Sequence, residues 1–593
     1  MDKEKQLDDF FGLKNDSSES DKDNGIKETL IKRLSKKSKI RLIPRVLSKK
    51  ERYFVIVSAL IIIGSIISIP FTTYFHFTKA VADEGGTLIE GIVGVPRHIN
   101  PVLAQTNDAD RDLVKLIYSG ILKYNEEGKL VPDLAKSYEI SSDGLNYTVY
   151  LRDDIKWHDN TKFTSEDIIF TIETIQNPDY GSPQRINWQG VEIEKIDDNA
   201  VMFKLKNKYA QFLNNLTLNI IPAHLWQEVR PINFGLTELN LKPIGTGPFK
   251  FNKLQKDQTG QIVSYELGIN KNFYSQKPFI EKILIKFYPN EETMIDAYNK
   301  NEVDNLSSIS AKGLISLKFK QRLDIKKIPM PRYFGLFFNQ NQSKFLSDKN
   351  IRLALSHGTN KNAVLKEVLD DNGLVVNSPM LGGVLDFDQN ITKYDFDVQK
   401  AKDILKNIGW EEKNEDGILV KKSEKLSLKL TTSAWPELAQ VAQIIKDQWK
   451  EIGVELNIEV MSTPDLQQVI KDRNYQILLF GEILNTDPDP FSLWHSSQKR
   501  DPGLNLALYD NRSADTLLEE ARQTLSPIER IQKYNDFQRI LIEDNPAIFI
   551  YSPYYLYAQS EDIKGFSSKI ISMPADRFQG MENWYIQTQR VRR

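Results

Sequence analysis

The pattern of apolar and polar positions changes character twice along the chain. Residues 1–31 mix Asp, Glu, Lys, Ser and Asn without an apolar period, which predicts a disordered stretch. Residues 53–77, YFVIVSALIIIGSIISIPFTTYFHF, contain no Asp, Glu, Lys or Arg and have the length one helical bilayer crossing needs. After a short tether at 78–85, short apolar and alternating runs interleave with amphipathic ones, an α/β pattern. GGTLIEGIVG reads as a buried strand bounded by glycines. Asn107 or Asp108 caps a helix whose inner face carries Leu113, Leu116 and Ile117. The Ser142-Asp143-Gly144 turn precedes an alternating strand with Tyr147, Val149 and Leu151, and Thr164-x-x-Asp167 opens a helix as a capping box.

Further strands are predicted at 201–205, 249–254, 280–287, 426–430 and 454–460, with helices at 351–357, 398–408 and 436–452. The longest of these helices starts at Pro436 and buries Leu438, Val441, Ala442, Ile445 and Trp449 along one face. Gly453 stops it and a strand follows, the sequence of a crossover packed on a sheet. No internal repeat is present.

Charge assigns sides to the apolar run. From 32 to 52 the chain has ten Lys/Arg against one Glu, which keeps the first ~50 residues cytoplasmic and puts the remainder in the extracellular or periplasmic space. Ala80-Val81-Ala82 has the form of a signal-peptidase site, the competing reading. The apolar run is longer than an ordinary signal core and follows a long basic tail, so an uncleaved single-pass anchor is expected. Beyond residue 52 there are 63 Lys/Arg against 70 Asp/Glu, a mildly acidic body that argues against nucleic acid as partner. The chain has no cysteine, which excludes disulfides, thiolate metal sites and an acylated cysteine anchor.

No reaction centre emerges. The six histidines have no metal-ligand spacing, and no G-x-S-x-G, P-loop or G-x-G-x-x-G follows a strand. Gly245-Thr246-Gly247-Pro248 reads as a tight chain crossing rather than a phosphate cradle. A protein that is not an enzyme, with no cofactor and no metal, is the expectation.

The stretch VPDLAKSYEISSDGLNYTVYLRDDIKWHDN, preceded by GGTLIEGIVGVPRHINP and LIYSGILKY, resembles the family 5 extracellular solute-binding proteins, the oligopeptide-, dipeptide- and nickel-binding components of ABC importers. Similar segments keep their order: IGTGPF, FFNQN with SDKNIRLALSHGTNKNAV, DVQKAKDILKNIGW, PELAQVAQIIKDQWKEIGVEL, the DPDPF loop and ERIQKYNDFQRILIEDNPAIFIY. The resemblance covers about residues 86–586. It implies an α/β, class II periplasmic-binding-protein-like fold, two lobes with a hinge plus an extra domain, preceded here by one transmembrane helix. Domain I is expected at 86–127, 244–330 and 556–593, domain II at 128–243, and domain III at 331–555.

The resemblance also directs attention to a ligand site. In the peptide-binding relatives an Asp in a segment resembling W-x-x-D-Y-x-D-P pairs with the peptide ammonium; the matching stretch here is EILNTDPDPFSLWHSSQ. It places Thr486 at the anchoring position and Asp487 one residue later. Either Asp487 takes the role after a small loop shift, or the ligand has no free ammonium there. A turn aspartate facing water is the bland alternative. Trp494 and His495 follow as pocket walls, or else as core and helix-end residues. Phe338 and Asn339 resemble the strand entering the third domain, where Asn339 bonds ligand backbone or caps the strand end. Trp435 and Trp188 approach the cleft or pack in the core.

The implied function is an extracytoplasmic receptor that delivers peptides to an ABC permease in the membrane. The alternatives are a receptor for another small solute, such as a nickel chelate, a sugar or a nucleoside, and a membrane-anchored sensor or scaffold of the same fold.

Overall fold

The computed structural model describes residues 48–382, 387–485 and 487–592, so the expectation of a disordered 1–31 tail, most of the basic run and Thr486 lie outside the described residues. The chain forms two compact units, 48–81 with 588–592, and 82–587.

In the first unit the apolar run is one helix, Lys49–Phe77, none of whose residues is buried among the described residues. It starts four residues before the apolar run, because Ser48 and Glu51 form a capping box there. Thr72 Oγ1 donates back to the carbonyl of Ser68 at 2.8 Å, which keeps a hydroxyl satisfied on an apolar surface. The strands Thr78–Asp83 and Gln587–Arg592 pair as a two-stranded ribbon. Arg590 locks the helix end: its Nε donates to Thr78 Oγ1 at 2.8 Å, and its guanidinium lies 4.1 Å from the Phe75 ring centroid.

Among the described residues the second unit has five sheets, of which three are the largest. A seven-stranded sheet has the order Leu323–Ile328, Tyr555–Ser560, Asn305–Leu306, Thr87–Val93, Lys282–Tyr288, Ile262–Ile269, Phe249–Lys256. A four-stranded antiparallel sheet runs Ala135–Ile140, Asn146–Leu151, Ala200–Leu205, Val191–Asp197. The six-stranded sheet runs Gly373–Val375, Ala547–Pro553, Arg332–Phe338, Ile477–Ile483, Ser427–Ser433, Glu455–Met461. Thr87–Val93 is the predicted glycine-bounded strand, buried and parallel to Lys282–Tyr288.

Local rules account for several elements. Thr164 N–H donates to Asp167 Oδ2 at 2.9 Å at the start of helix Ser165–Gln176, and Asp167 also accepts from Ala223 N–H at 2.9 Å. The cap therefore also ties two segments together. Helix Pro436–Glu451 buries the five predicted residues, and the strands around it, Ser427–Ser433 and Glu455–Met461, are parallel neighbours, as a crossover requires.

Gly245 and Gly247 stand where the chain passes the end of helix Asp108–Ile117. A Cβ on Gly245 would sit 2.0 Å from the Ile117 carbonyl oxygen, and one on Gly247 2.7 Å from it, so no other residue fits. His158 closes this crossing: its Nδ1 accepts from Gly245 N–H at 3.1 Å and its Nε2 donates to the Gly247 carbonyl at 3.0 Å. Burial pushes the imidazole pKa down to about 4, although the Gly247 contact works the other way.

Two short connections join the seven- and six-stranded sheets. Residues 329–331 link Leu323–Ile328 to Arg332–Phe338, and Tyr554 links Ala547–Pro553 to Tyr555–Ser560. The crossings run side by side, because the strands they join are antiparallel neighbours in both sheets.

Candidate functional site

A cavity of about 610 Å³ opens beside helix Asp108–Ile117. Its walls come mainly from three regions, 101–133, 184–219 and 572–582, with Pro248, Phe273 and, from the lobe of the six-stranded sheet, Asn485. This volume suits a small organic or peptide ligand. The walls are rich in amides, including Asn125, Asn187, Asn214, Asn215 and Asn219, with Tyr118 and Tyr124 between them.

The charged wall residues are largely neutralised in pairs. Lys115 Nζ lies 3.1 Å from Asp576 Oδ1. Lys123 Nζ lies 3.4 Å from Asp133 and 3.7 Å from Glu582; burial opposes its charge, but the two carboxylates together hold its pKa above the usual lysine value. Arg111 pairs with Asp108 and donates through Nη1 to the Gln105 carbonyl at 2.9 Å. Paired charges fix the wall without imposing a net demand on the ligand.

At one end, Tyr124 Oη donates to Asn214 Oδ1 at 2.7 Å, and Asn214 Nδ2 donates to the Asp487 backbone carbonyl at 3.5 Å. The Asp487 carboxylate itself is held by Arg530, whose Nη2 lies 3.0 and 2.9 Å from its two oxygens. Burial raises the carboxyl pKa and Arg530 opposes the rise. The neighbouring Asp489 accepts from Arg522 Nε at 2.7 Å. Segment 209–214 also touches this loop: Gln211 Nε2 donates to Pro488 O at 3.4 Å and to Tyr534 Oη at 2.8 Å. The loop follows a strand of the six-stranded sheet and segment 209–214 follows one of the four-stranded sheet, so these contacts join the two regions.

Near the crossings between sheets lies a second group. Arg332 opens its strand with a buried Nε that has no hydrogen-bond partner among the described residues, and burial lowers its pKa. Glu437 is the acid nearest in effect: burial raises its pKa and Arg332 pulls it back. Trp435 is 45% exposed and meets Phe334 edge-on at 5.7 Å, and Phe334 stacks on Tyr551 at 5.1 Å. An exposed aromatic beside a half-buried cation is a surface that a ligand chain can cover.

The residues expected from the sequence are placed unevenly. Trp188 lines the cavity, although its ring is buried against Phe203 and Phe212 at 5.9 and 6.0 Å. Asp487 is next to the cavity, engaged by Arg530, and Trp435 is exposed near the crossings. Phe338 is buried in the core, and Asn339 Nδ2 donates to the Arg473 carbonyl at 2.9 Å while its Oδ1 accepts from Asn341 N–H at 3.1 Å. They occupy the far end of a strand whose first residue, Arg332, is the one at the crossing; Asn339 has the strand-end role. Trp494 is buried against Phe337 and Phe549. His495 stacks on Phe491 at 4.1 Å and bonds Ser497 Oγ at 2.8 Å, a helix-end role.

Tyr118, Tyr124, Asn214, Asn485, Arg332 and Arg530 were not singled out from sequence. The asparagine-rich run NNLTLN at 214–219 was a usable signal for the amide wall; nothing local marks Arg332 or Arg530.

A family model described as bacterial extracellular solute-binding proteins, family 5 Middle, matches residues 129–503. The oligopeptide-binding protein AppA of Bacillus subtilis is 27% identical over 512 residues, covering 85% of this chain and 92% of that protein. Its structure with a nonapeptide superposes with a TM-score of 0.68 at 26% identity, covering 86% of this chain and all of that one. NikZ of Campylobacter jejuni in complex with Ni(L-His) superposes with a TM-score of 0.69 at 28% identity, covering 84% and 99%.

Proposed function

Since the chain belongs to the family 5 bacterial extracellular solute-binding proteins, we propose that its cleft captures peptides, releases them unchanged and delivers them to an ABC permease. The observation that supports this reading most is the amide-lined cavity of about 610 Å³ between lobes joined by two short side-by-side crossings. A peptide presents alternating donors and acceptors, and asparagine side chains answer both. Two adjacent connections let the lobes rotate about one axis, so closure buries the ligand without remaking either sheet. Trp435 and Arg332 extend the cleft toward an exposed aromatic and a cation, partners for a ligand side chain or carboxylate.

Helix Lys49–Phe77 serves in this reading as an uncleaved anchor, keeping the receptor beside its permease. Its basic flank at Lys49, Lys50 and Arg52 sets the cytoplasmic side. N-terminal sequencing of the membrane-bound protein tests this: a mature chain beginning at Asp83 means that the helix is a signal sequence.

The ligand is tested by thermal shift of the full-length protein in detergent with pooled peptides. A tight ligand at about 100 times its Kd adds about 2.7 kcal/mol. The competing ligand is a chelated metal, raised by the solved neighbour holding Ni(L-His). A shift with nickel–histidine and none with peptides would replace the peptide reading.

A further inference from the structure

The helix Lys49–Phe77 passes without a linker into the ribbon strand Thr78–Asp83. Its uncharged run, 53–77, is about 37 Å long at 1.5 Å per residue, longer than the ~30 Å hydrocarbon core of a bilayer. With Arg52 held at the cytoplasmic interface, the last turn, Tyr74-Phe75-His76-Phe77, emerges into the outer interface, and its aromatic composition suits that belt. A strand advances about 3.3 Å per residue, so the start of the ribbon lies at headgroup depth.

The charges at this level have one sign. Residues 53–82 and 587–592 contain Lys79, Arg590 and Arg592 and no Asp or Glu. Arg590 is fixed by the helix end. Its Nε donates to Thr78 Oγ1 at 2.8 Å, and its Nη2 donates to the Thr78 and Phe75 carbonyls at 3.0 and 3.3 Å. The Phe75 carbonyl belongs to the last turn, whose carbonyls have no intrahelical donor. The guanidinium also lies 4.1 Å from the Phe75 ring centroid and 5.7 Å from that of Tyr74. Its Nη1 makes no hydrogen bond among the described residues. Lys79 and Arg592 are exposed and have neither hydrogen bond nor ion pair among the described residues.

We propose that this ribbon binds the phosphate headgroups of anionic lipids in the outer leaflet. Arg590 is the fixed contact, because a held guanidinium with an open N–H matches a phosphate oxygen. Lys79 and Arg592 supply the charge that favours an anionic headgroup, such as phosphatidylglycerol, over a zwitterionic one. These outer cations leave the orientation unchanged, since ten Lys/Arg stand at 32–52 on the other side. The inference rests on the anchor reading and is independent of which solute the cleft takes.

The test is amide hydrogen exchange of the full-length protein in nanodiscs, either of phosphatidylcholine alone or of phosphatidylcholine mixed with phosphatidylglycerol. The readout is local, so lipid bound by the cytoplasmic basic run does not enter it directly. Exchange in 78–83 and 587–592 is expected to slow by about threefold or more in the anionic discs. The double variant Lys79→Gln with Arg592→Gln changes two exposed side chains and is expected to exchange equally in both discs. Equal exchange of the intact parent in the two bilayers overturns the inference. Slowing that persists in the double variant assigns the effect to the basic run acting through the helix, which also overturns it. The same slowing by inorganic phosphate in phosphatidylcholine discs makes this a site for a free anion and overturns the lipid source. A mature chain beginning at Asp83 instead removes the anchor reading itself, and most of the strand with it.

Discussion

Arg577 and Asp112, 465 positions apart in sequence, meet in a fully buried bidentate ion pair, Nη1 to Oδ1 at 2.8 Å and Nη2 to Oδ2 at 2.6 Å. The same guanidinium donates through Nε to Glu90 Oε1 at 3.1 Å, and Asn305 and Tyr557 donate to the other Glu90 oxygen at 3.1 and 3.0 Å. One cation thus joins the helix beside the cavity, the strand Thr87–Val93 and the segment 574–578. Arg577→Met leaves two buried carboxylates facing each other. A loss of about 3–5 kcal/mol is expected, read as a fall in the denaturation midpoint. A variant as stable as the parent would mean that the triad contributes nothing.

His158 predicts a pH dependence. Its imidazole titrates near 6.5 when unfolded and is pushed down to about 4 in the folded chain, chiefly by burial. A depressed folded pKa contributes stability that is full above about 6.5 and is lost as pH falls toward 4. The whole effect is about 3 kcal/mol. Melting curves taken across that window should fall more steeply for the parent than for His158→Gln.

Glu482 predicts a dependence of the opposite sign. Its carboxyl is buried, accepts from Tyr333 Oη, and has one oxygen with no partner among the described residues; burial pushes its pKa up to about 8. A raised folded pKa means that stability is full below about 4.5 and is lost as pH rises through 8. Glu482→Gln removes the titration and is expected to raise stability at pH 8 by about 1–3 kcal/mol. Equal melting temperatures for the two proteins at pH 8 would refute this.

Asn485 is the cavity residue contributed by the lobe of the six-stranded sheet. Asn485→Ala should weaken peptide binding by about tenfold, the value of one lost hydrogen bond of about 1.4 kcal/mol, while leaving the ligand-free melting temperature unchanged. Unchanged affinity would place the bound peptide elsewhere in the cleft.

Several features were legible in the chain because each depends on residues near one another in sequence. The helix Lys49–Phe77 follows from an uncharged apolar run, the cap at Thr164 from a spacing of three, and the parallel crossover at Gly453 from a helical stripe meeting an alternating run. The close passage at Gly245 and Gly247 was readable as a need for missing side chains, but not its partner, Ile117. The functional groups obeyed another logic. Phe338 and Asn339 have the composition of a ligand-contacting strand end, yet in the fold Phe338 is buried and Asn339 bonds the Arg473 carbonyl. Asp487 was identifiable as an acid on the loop after the strand Ile477–Ile483, but Arg530 lies on a helix 43 positions later, and only folding brings them within hydrogen-bonding distance. Periodicity and caps are set by short-range sterics and backbone hydrogen bonding, which sequence records directly. Whether a carboxylate is free or neutralised depends on which distant charge packing delivers to it, and that is decided only when the lobes form.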